Sequence, residues 1–334
     1  MSTHPIHLLW AAPIAFGAGW AAQRASLCNV RAVADWVERR DGRMLGTLWR
    51  ASLWATVATG VFWATGLAVP APAAPLGLVG ALLGGLLFGA GAAMNRGCSL
   101  STLIRLAEGQ WALLLTLAGF GFGAWIAFQA LASLPAGLLA SANAHAGSLQ
   151  AWPGWGAAGA WWLLPLAAWA LRDAQRCQRQ ALGDALPLAW WRRPTWPLAQ
   201  VAWVFGLAGA VMYGAYGAWT YTNLLRLEAT GEPMAAAGLR WMLMAALLAG
   251  MVVSARRSGA WSLRGPDSPG ALGQHLLGGT LMGMGSVAIP GGNDSVLLAW
   301  LPALSVDGGV AYLGIVLGIG VPLVLRHGWP SGAH

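Results

Sequence analysis

Two cysteines of this chain lie in short polar breaks between apolar stretches, where a thiol could bind or transfer a sulfur compound. Cys28 lies within residues 23–31, and Cys98 lies within residues 95–99. A thiol is a weak hydrogen-bond donor and acceptor, so it can hold a ligand and release it quickly. A cysteine in a membrane helix is also often just a small buried apolar residue. The residue type alone therefore leaves binding, sulfur chemistry and packing open.

A third polar break, near the C-terminal end, contains no cysteine. It reads PGGNDS and includes Gly291, Gly292, Asn293 and Asp294. Ser99 in the second break and Asn293 or Asp294 in the third are favourable helix N-cap residues. A helix that begins there would direct its free N–H groups toward a bound anion. The breaks therefore predict a cavity that suits an anion.

Asp294 is the unusual residue of this set, because a carboxylate would repel an anion. We expect it to cap a helix, to bind an arginine, or to take up a proton coupled to transport. Arg24, Arg31 and Arg96 lie near the first two breaks and could offset the charge of an anion. The bias of arginine toward one side of the membrane favours a topological role for them.

The cysteines do not form a metal or redox motif. No His, Asp or Glu accompanies Cys28 or Cys98 at ligand spacing, and no Cys-x-x-Cys pair is present. Cys177 lies among Arg172, Arg176 and Arg179 and is interpreted as an inert thiol. Neither a metal nor a cofactor is predicted.

Composition indicates the solvent of the chain. Hydrophobic residues make up 57% of the 334 residues, charged residues only 9%, and tryptophan occurs 22 times. This is the composition of a polytopic membrane protein. The net charge of +8 comes from arginines in short loops between apolar spans. They form no continuous basic face, so nucleic-acid binding is not predicted.

Nine apolar stretches are long enough to cross about 30 Å of hydrocarbon. Arginines cluster after the first, fifth, seventh and ninth of them, and the connections at 70–75 and 133–156 contain none. Because positive charge is retained in the cytoplasm, the N-terminus is predicted outside and the C-terminus inside. The predicted spans are roughly 6–24, 44–69, 75–94, 109–132, 157–171, 196–217, 234–254, 269–289 and 308–325.

An internal repeat relates the second and third breaks. Residues 84–103 and 278–297 are identical at eight of twenty positions at an offset of 194, where composition would give roughly two. The same offset places Asn223 opposite Asn29. The predicted spans carrying the two copies run in opposite directions, which is typical of inverted-repeat transporters with a site near the midplane. The alternative is convergence, since close helix packing also selects glycine.

The predicted fold class is therefore an all-α polytopic membrane protein with broken, re-entrant helices and a pseudo-two-fold architecture. The whole chain, 1–334, is one membrane domain. Residues 1–132 form the first repeat, 133–195 the linking span with an arginine-rich cytoplasmic loop, and 196–334 the second repeat.

The combination of motifs resembles the YeeE/YedE family of bacterial inner-membrane proteins associated with the uptake of thiosulfate and other sulfur compounds. The motifs are an Arg-x-x-x-Cys break after the first span, a Gly-Cys break some seventy residues later, and a Gly-Gly-Asn break near the C-terminal end. The resemblance implies an hourglass fold and a relay of thiols that passes a sulfur anion across the membrane. Cys28 and Cys98 match two pathway cysteines, whereas Gly292 stands where the family has a third.

The predicted function is uptake of a small inorganic sulfur anion, most simply thiosulfate, across a bacterial inner membrane. The alternatives are a sulfur-transfer or sulfur-sensing subunit that works with a cytosolic sulfur-carrier protein through a cysteine persulfide, and a structural membrane subunit. An enzyme is not predicted. The predicted partners are the anion and the lipid bilayer, and the candidate pathway residues are Cys28, Asn29, Gly97, Cys98, Ser99, Gly291, Gly292, Asn293 and Asp294.

Overall fold

The computed structural model describes residues 6–64, 74, 76–134, 163–183, 193–217, 219–234, 236–266, 268–289 and 291–327. These residues form helices and no β-strand. A π-helical turn over Val296–Trp300 follows the third break, and a 3-10 turn over Trp111–Leu113 precedes the helix that begins at Leu114. The α-helices are α1 Ile6–Ala25, α2 Asn29–Arg39, α3 Arg43–Ala64, α4 Gly77–Met94, α5 Ser99–Ala107, α6 Leu114–Ala132, α7 Leu163–Gly183, α8 Leu198–Tyr216, α9 Tyr221–Thr230, α10 Ala237–Arg257, α11 Pro269–Ala288, α12 Asn293–Ser295 and α13 Val306–His327.

Several of these helices are apolar and long enough to cross a bilayer, so the chain is a multi-pass membrane protein. Five helical segments of the described residues meet both criteria: Gly77–Ala107, Trp111–Ala132, Leu198–Thr230, Ala237–Arg257 and Val306–Leu325. The predicted all-α, polytopic fold class is thereby confirmed. The count of nine spans stays a prediction, and the first residues of the predicted span 157–171 lie outside the described residues.

Helix α7 differs from the sequence expectation. It continues to Gly183, so Arg172, Arg176 and Arg179 lie on a helix rather than in a loop after residue 171. Arginine has a high helix propensity, which lets the helix run on beyond its apolar part. Asp173 attaches α7 to α3, since its carboxylate accepts hydrogen bonds from Arg50 Nη2 at 2.6 Å and from Trp54 Nε1 at 3.1 Å.

The three breaks predicted from the sequence are present, and each contains a residue with positive φ. These residues are Ser26 (φ 49°) before α2, Arg96 (φ 55°) before α5 and Gly291 (φ 110°) before α12. Side chains satisfy part of the backbone that the second break exposes: Asn95 Nδ2 donates to Gly97 O at 3.0 Å. Such pairing is what an irregular segment buried in a membrane protein requires.

Glycine faces allow α4 and α11 to pack closely against each other and against two further helices. A Cβ at Gly85 or Gly89 would run into the backbone of α13, and a Cβ at Gly279 or Gly283 would run into the backbone of α6. Small residues at these positions bring the helix axes together, as is usual in membrane bundles. This packing holds the second and third breaks at the ends of α4 and α11.

Helices in the two halves of the chain recur at a nearly constant spacing. Helices α1 to α6 begin at residues 6, 29, 43, 77, 99 and 114, and α8 to α13 begin 192 to 194 residues later. Their contacts recur as well: α4 packs on α13 as α11 packs on α6, and α1 packs on α10 as α8 packs on α3. Between α4 and α11, Gly84 faces Gly285 and Gly91 faces Gly278, so these two helices run antiparallel.

Candidate functional site

The first break places Cys28 at the N-cap of α2. Its backbone is extended (φ −155°, ψ 124°), and its Sγ accepts the Arg31 N–H at 3.5 Å. The same thiol lies 3.2 Å from Ser101 Oγ on α5 and donates to it. Only 7% of Cys28 is exposed. The sulfur therefore lies buried where the start of α2 meets the first turns of α5.

The second break places Cys98 at the N-cap of α5, beside Cys28. Its Sγ accepts the Asn29 N–H at 3.4 Å, and its carbonyl oxygen accepts the Ser101 hydroxyl at 3.1 Å. Cys98 is 1% exposed, and both cysteines are free thiols that interact with each other. The first turns of two helices thus meet at a pair of adjacent, buried sulfur atoms.

Asn29 supplies a further donor at the thiol pair. Its Oδ1 accepts the Tyr312 hydroxyl at 3.1 Å, which fixes the plane of the amide. Its Nδ2 is buried and has no hydrogen-bond partner among the described residues. A buried donor without a partner costs free energy, so a ligand that accepts a hydrogen bond would be favoured at this point.

Ser99 connects the second break to the third. Its hydroxyl lies within hydrogen-bonding distance of Asn293 Oδ1 and lies 3.2 Å from Asp294 Oδ1. The single hydroxyl hydrogen can serve one of these oxygens at a time. Thr222 also donates to Asp294 Oδ1 at 3.2 Å, and all four residues are buried. The breaks on the two halves of the chain therefore form one continuous polar cluster.

A set of hydroxyl and amide groups completes the third break from the side of α8 and α9. Asn223 Nδ2 lies 2.7 Å from Ser295 Oγ, and the Tyr213 hydroxyl lies 2.9 Å from the same oxygen. Sequence reasoning missed Ser101, Thr222, Ser295 and Tyr312. The offset of 194 could have found two of them, since it places Thr222 opposite Cys28 and Ser295 opposite Ser101.

The glycines of the predicted site lie at the breaks. Gly292 is the N-cap of α12, and a Cβ there would lie 2.8 Å from Asp294 Oδ1 and 2.9 Å from Thr222 Cγ2. A Cβ at Gly97 would lie 2.9 Å from Ser101 Oγ, and Gly291 has the left-handed φ that favours glycine. The sequence predicted Ser99 and Asn293 or Asp294 as N-caps, and this prediction is wrong. The helices begin at Ser99 and Asn293, so the N-caps are Cys98 and Gly292.

The arginines near the first two breaks make their contacts away from the thiols. Arg24 donates to the Arg193 carbonyl at 2.9 Å, with its guanidinium over the Trp20 ring, and Arg31 pairs with Asp35 at 3.5 Å. Arg96 is exposed. Asp294 makes no ion pair with any described residue. The expectation that an arginine binds Asp294 is therefore wrong for this part of the chain.

The described residues offer no cluster of three His, Cys, Asp or Glu side chains that would share a metal ion. The polar atoms that converge at the breaks are instead thiols, hydroxyls, amides and one carboxylate. A comparison with curated proteins found no match to the chain. The profile of the Sulphur transport family matches residues 24–321, which include all three breaks. The chain belongs to this family, the YeeE/YedE family of sulfur transport proteins.

Proposed function

We propose that the protein takes up a small inorganic sulfur anion, with thiosulfate as the substrate, through a central pathway that passes the Cys28 and Cys98 thiols. The observation that carries this proposal is the pair of buried thiols, together with the unpartnered Nδ2 of Asn29, a residue whose backbone N–H donates to Cys98 Sγ. All three groups can donate to the oxygen or terminal sulfur atoms of such an anion. Membership of a sulfur transport family supports the class of substrate.

The chemistry of these donors suits passage rather than tight binding. A thiol donates weakly, Arg24 and Arg31 are engaged elsewhere, and Arg96 is exposed. The anion therefore meets neutral groups and the first N–H groups of α2 and α5. Each contact is weak enough to break as the next forms. From Cys98 the anion reaches Ser99 and then Asn293, beside Gly292. Gly292 leaves room there for close approach to the backbone.

The same proposal includes an inverted repeat of 1–132 and 196–334, joined by a linking segment at 133–195. The constant helix spacing and the repeated contacts support it. So does the antiparallel pair α4 and α11, because an axis in the membrane plane inverts each helix onto its counterpart. Ser99 and Asn293 are counterparts at the offset of 194 and touch each other, as residues on such an axis must. The substrate pathway would cross this axis.

Uptake of labelled thiosulfate into vesicles that contain the purified protein tests the proposal. We expect saturable uptake that exceeds uptake by empty vesicles and that Cys28→Ser and Cys98→Ser both reduce. A persulfide on Cys28 or Cys98 in the absence of any thiosulfate flux would contradict transport and support transfer to a cytosolic sulfur carrier. The burial of both thiols opposes that route, because a carrier protein would need to reach them.

A further inference from the structure

A small cavity adjoins the third break. Its walls are mostly apolar side chains from α1, α5, α8 and α10, including Ala18 and Leu247. The polar residues that line it are Trp219, Thr220 and Tyr221 at the start of α9, and Asp294. Its volume is about 20 Å³, which is enough for one water molecule and too small for a sulfur oxyanion.

Two buried donors that line this cavity have no partner. Trp219 and Tyr221 are 2% and 5% exposed, and neither Trp219 Nε1 nor the Tyr221 hydroxyl has a hydrogen-bond partner among the described residues. Asp294 therefore shares the lining of this cavity with two residues whose buried donors have no partner in the described part of the chain.

Asp294 has hydroxyl partners and, among the described residues, no cationic partner. It is 6% exposed, and its oxygens accept from Ser99 and Thr222. The titratable groups that interact with Asp294 are Tyr213 from α8 and Tyr221 from α9, and Tyr221 also interacts with Cys98. Helices α1 and α10 contribute the apolar residues Ala18 and Leu247 to the cavity. A buried carboxylate without a cation is costly, and binding a proton removes its charge.

We propose that the Asp294 carboxylate is the binding site of a proton that crosses the membrane together with the sulfur anion. This inference rests on the proposed function. The proton enters from the side on which the anion binds, stays on the Asp294 carboxyl while the anion occupies the thiol region, and leaves with the anion on the opposite side. No covalent bond to the anion forms or breaks.

Ser99 couples the two sites. When Asp294 is ionised, the Ser99 hydroxyl hydrogen is drawn to a carboxylate oxygen at 3.2 Å. When Asp294 is protonated, that attraction weakens, and only Asn293 Oδ1 competes with an anion beside Cys98 for the hydroxyl hydrogen. Protonation also removes the like-charge repulsion between the carboxylate and the anion. Both effects make the anion bind better when the proton is bound, which is the requirement for coupled transport.

Purified protein in vesicles clamped at zero membrane potential provides the test. Labelled thiosulfate uptake is measured with and without an inward proton gradient, while a dye inside the vesicles reports luminal pH. We expect the gradient to accelerate uptake and thiosulfate to acidify the lumen. In Asp294→Asn, uptake should fall to the rate that the wild type shows without a gradient, and thiosulfate should no longer acidify the lumen.

A matched variant separates this effect from misfolding. Asp307→Asn makes the same change at another buried carboxylate. Asp307 lies on α13 and accepts the Ala74 N–H, and its variant should keep the response to the gradient. Uptake by the wild type that ignores the proton gradient, or that responds to a sodium gradient instead, would overturn the inference. A wild type without any thiosulfate uptake would contradict the proposed function itself.

Discussion

Neutral donors, rather than arginines, define the polarity of the site at the scale of single residues. The groups around the two sulfur atoms are backbone N–H groups, the Ser101 hydroxyl and the Asn29 amide. A guanidinium in their place would bind a dianion more strongly and release it more slowly. In a transport pathway the anion must leave each binding position as readily as it arrives. Weak neutral donors suit that requirement.

Replacing Cys98 with serine tests the role of the thiol directly. Serine keeps a hydrogen-bonding group of similar size but loses the polarisable sulfur and the acidity of the thiol. We expect labelled thiosulfate uptake to fall about tenfold, the effect of raising the transport barrier by about 1.4 kcal/mol, with an unchanged elution profile in detergent. Cys177→Ser is the matched control and should transport normally. Normal uptake by Cys98→Ser would reduce Cys98 to a packing residue.

Gly292 tests the third break, where the chain departs from the three-cysteine pattern of the family it belongs to. A Cβ at this position lies within 2.9 Å of Thr222 Cγ2 and within 3.1 Å of Phe88 Cζ. We expect Gly292→Val to block uptake, because its two methyl groups enlarge that overlap. Gly292→Cys should be tolerated better and could raise the flux by adding a thiol beside the Asp294 carboxylate.

The control for this pair is Gly121→Val, since a Cβ at Gly121 on α6 meets nothing within 4 Å. Its uptake should match that of the wild type. Equal uptake by Gly292→Val and Gly292→Cys would reject a role for this position in the pathway.

At the scale of helices, the sequence is informative about the long apolar elements and less so about what lies between them. The predicted spans 6–24 and 269–289 end within one residue of α1 and α11, because polar or glycine-containing breaks end each apolar run. The short helices α2 and α9 were not predicted, since they carry polar residues and follow directly on a break. Their starts depend on tertiary contacts that no local pattern encodes.

The candidate site follows the same division. Cys28, Cys98 and the residues beside them could be found because their polarity stands out in an apolar sequence. Tyr312 could not be found, because it reaches Asn29 from α13, 283 residues further along the chain, and its own surroundings are ordinary apolar helix. Trp219 and Tyr221 could not be found either, since a missing hydrogen bond is a property of the packed structure.

The interface between α4 and α11 allows a prediction that compares equivalent helix positions. Gly91 and Gly285 are counterparts at the offset of 194, and a Cβ at either would overlap backbone atoms of the opposite helix. We expect Gly91→Ala and Gly285→Ala to lower the free energy of unfolding by similar amounts, about 1–3 kcal/mol each. Thermal unfolding in detergent measures this, with Gly121→Ala as the control. A large loss in one variant and none in the other would contradict the proposed equivalence.

At the scale of the whole molecule, an inverted repeat places a demand on the segment between the copies. Inverted copies must begin on opposite sides of the membrane. A first copy with an even number of crossings ends on the side where it began, so one further crossing must separate it from the second copy. The linking segment 133–195 contains α7, whose apolar start and arginine-rich continuation fit a crossing that ends in the cytoplasm. The proposed inverted repeat therefore predicts an odd number of spans, with the two termini on opposite sides.

Reporter fusions test this arrangement. With nine spans, a fluorescent protein fused after His334 should fluoresce, because it folds in the cytoplasm, and alkaline phosphatase at the same place should be inactive. A phosphatase inserted within 133–156, a connection without arginine between the fourth and fifth predicted spans, should be active. A phosphatase inserted after Gly183 should be inactive, because the linking span would return the chain to the cytoplasm. The two insertions together therefore test the linking span. An active phosphatase after His334 would remove the linking span and, with it, the inverted relation between the two halves on which the central pathway depends.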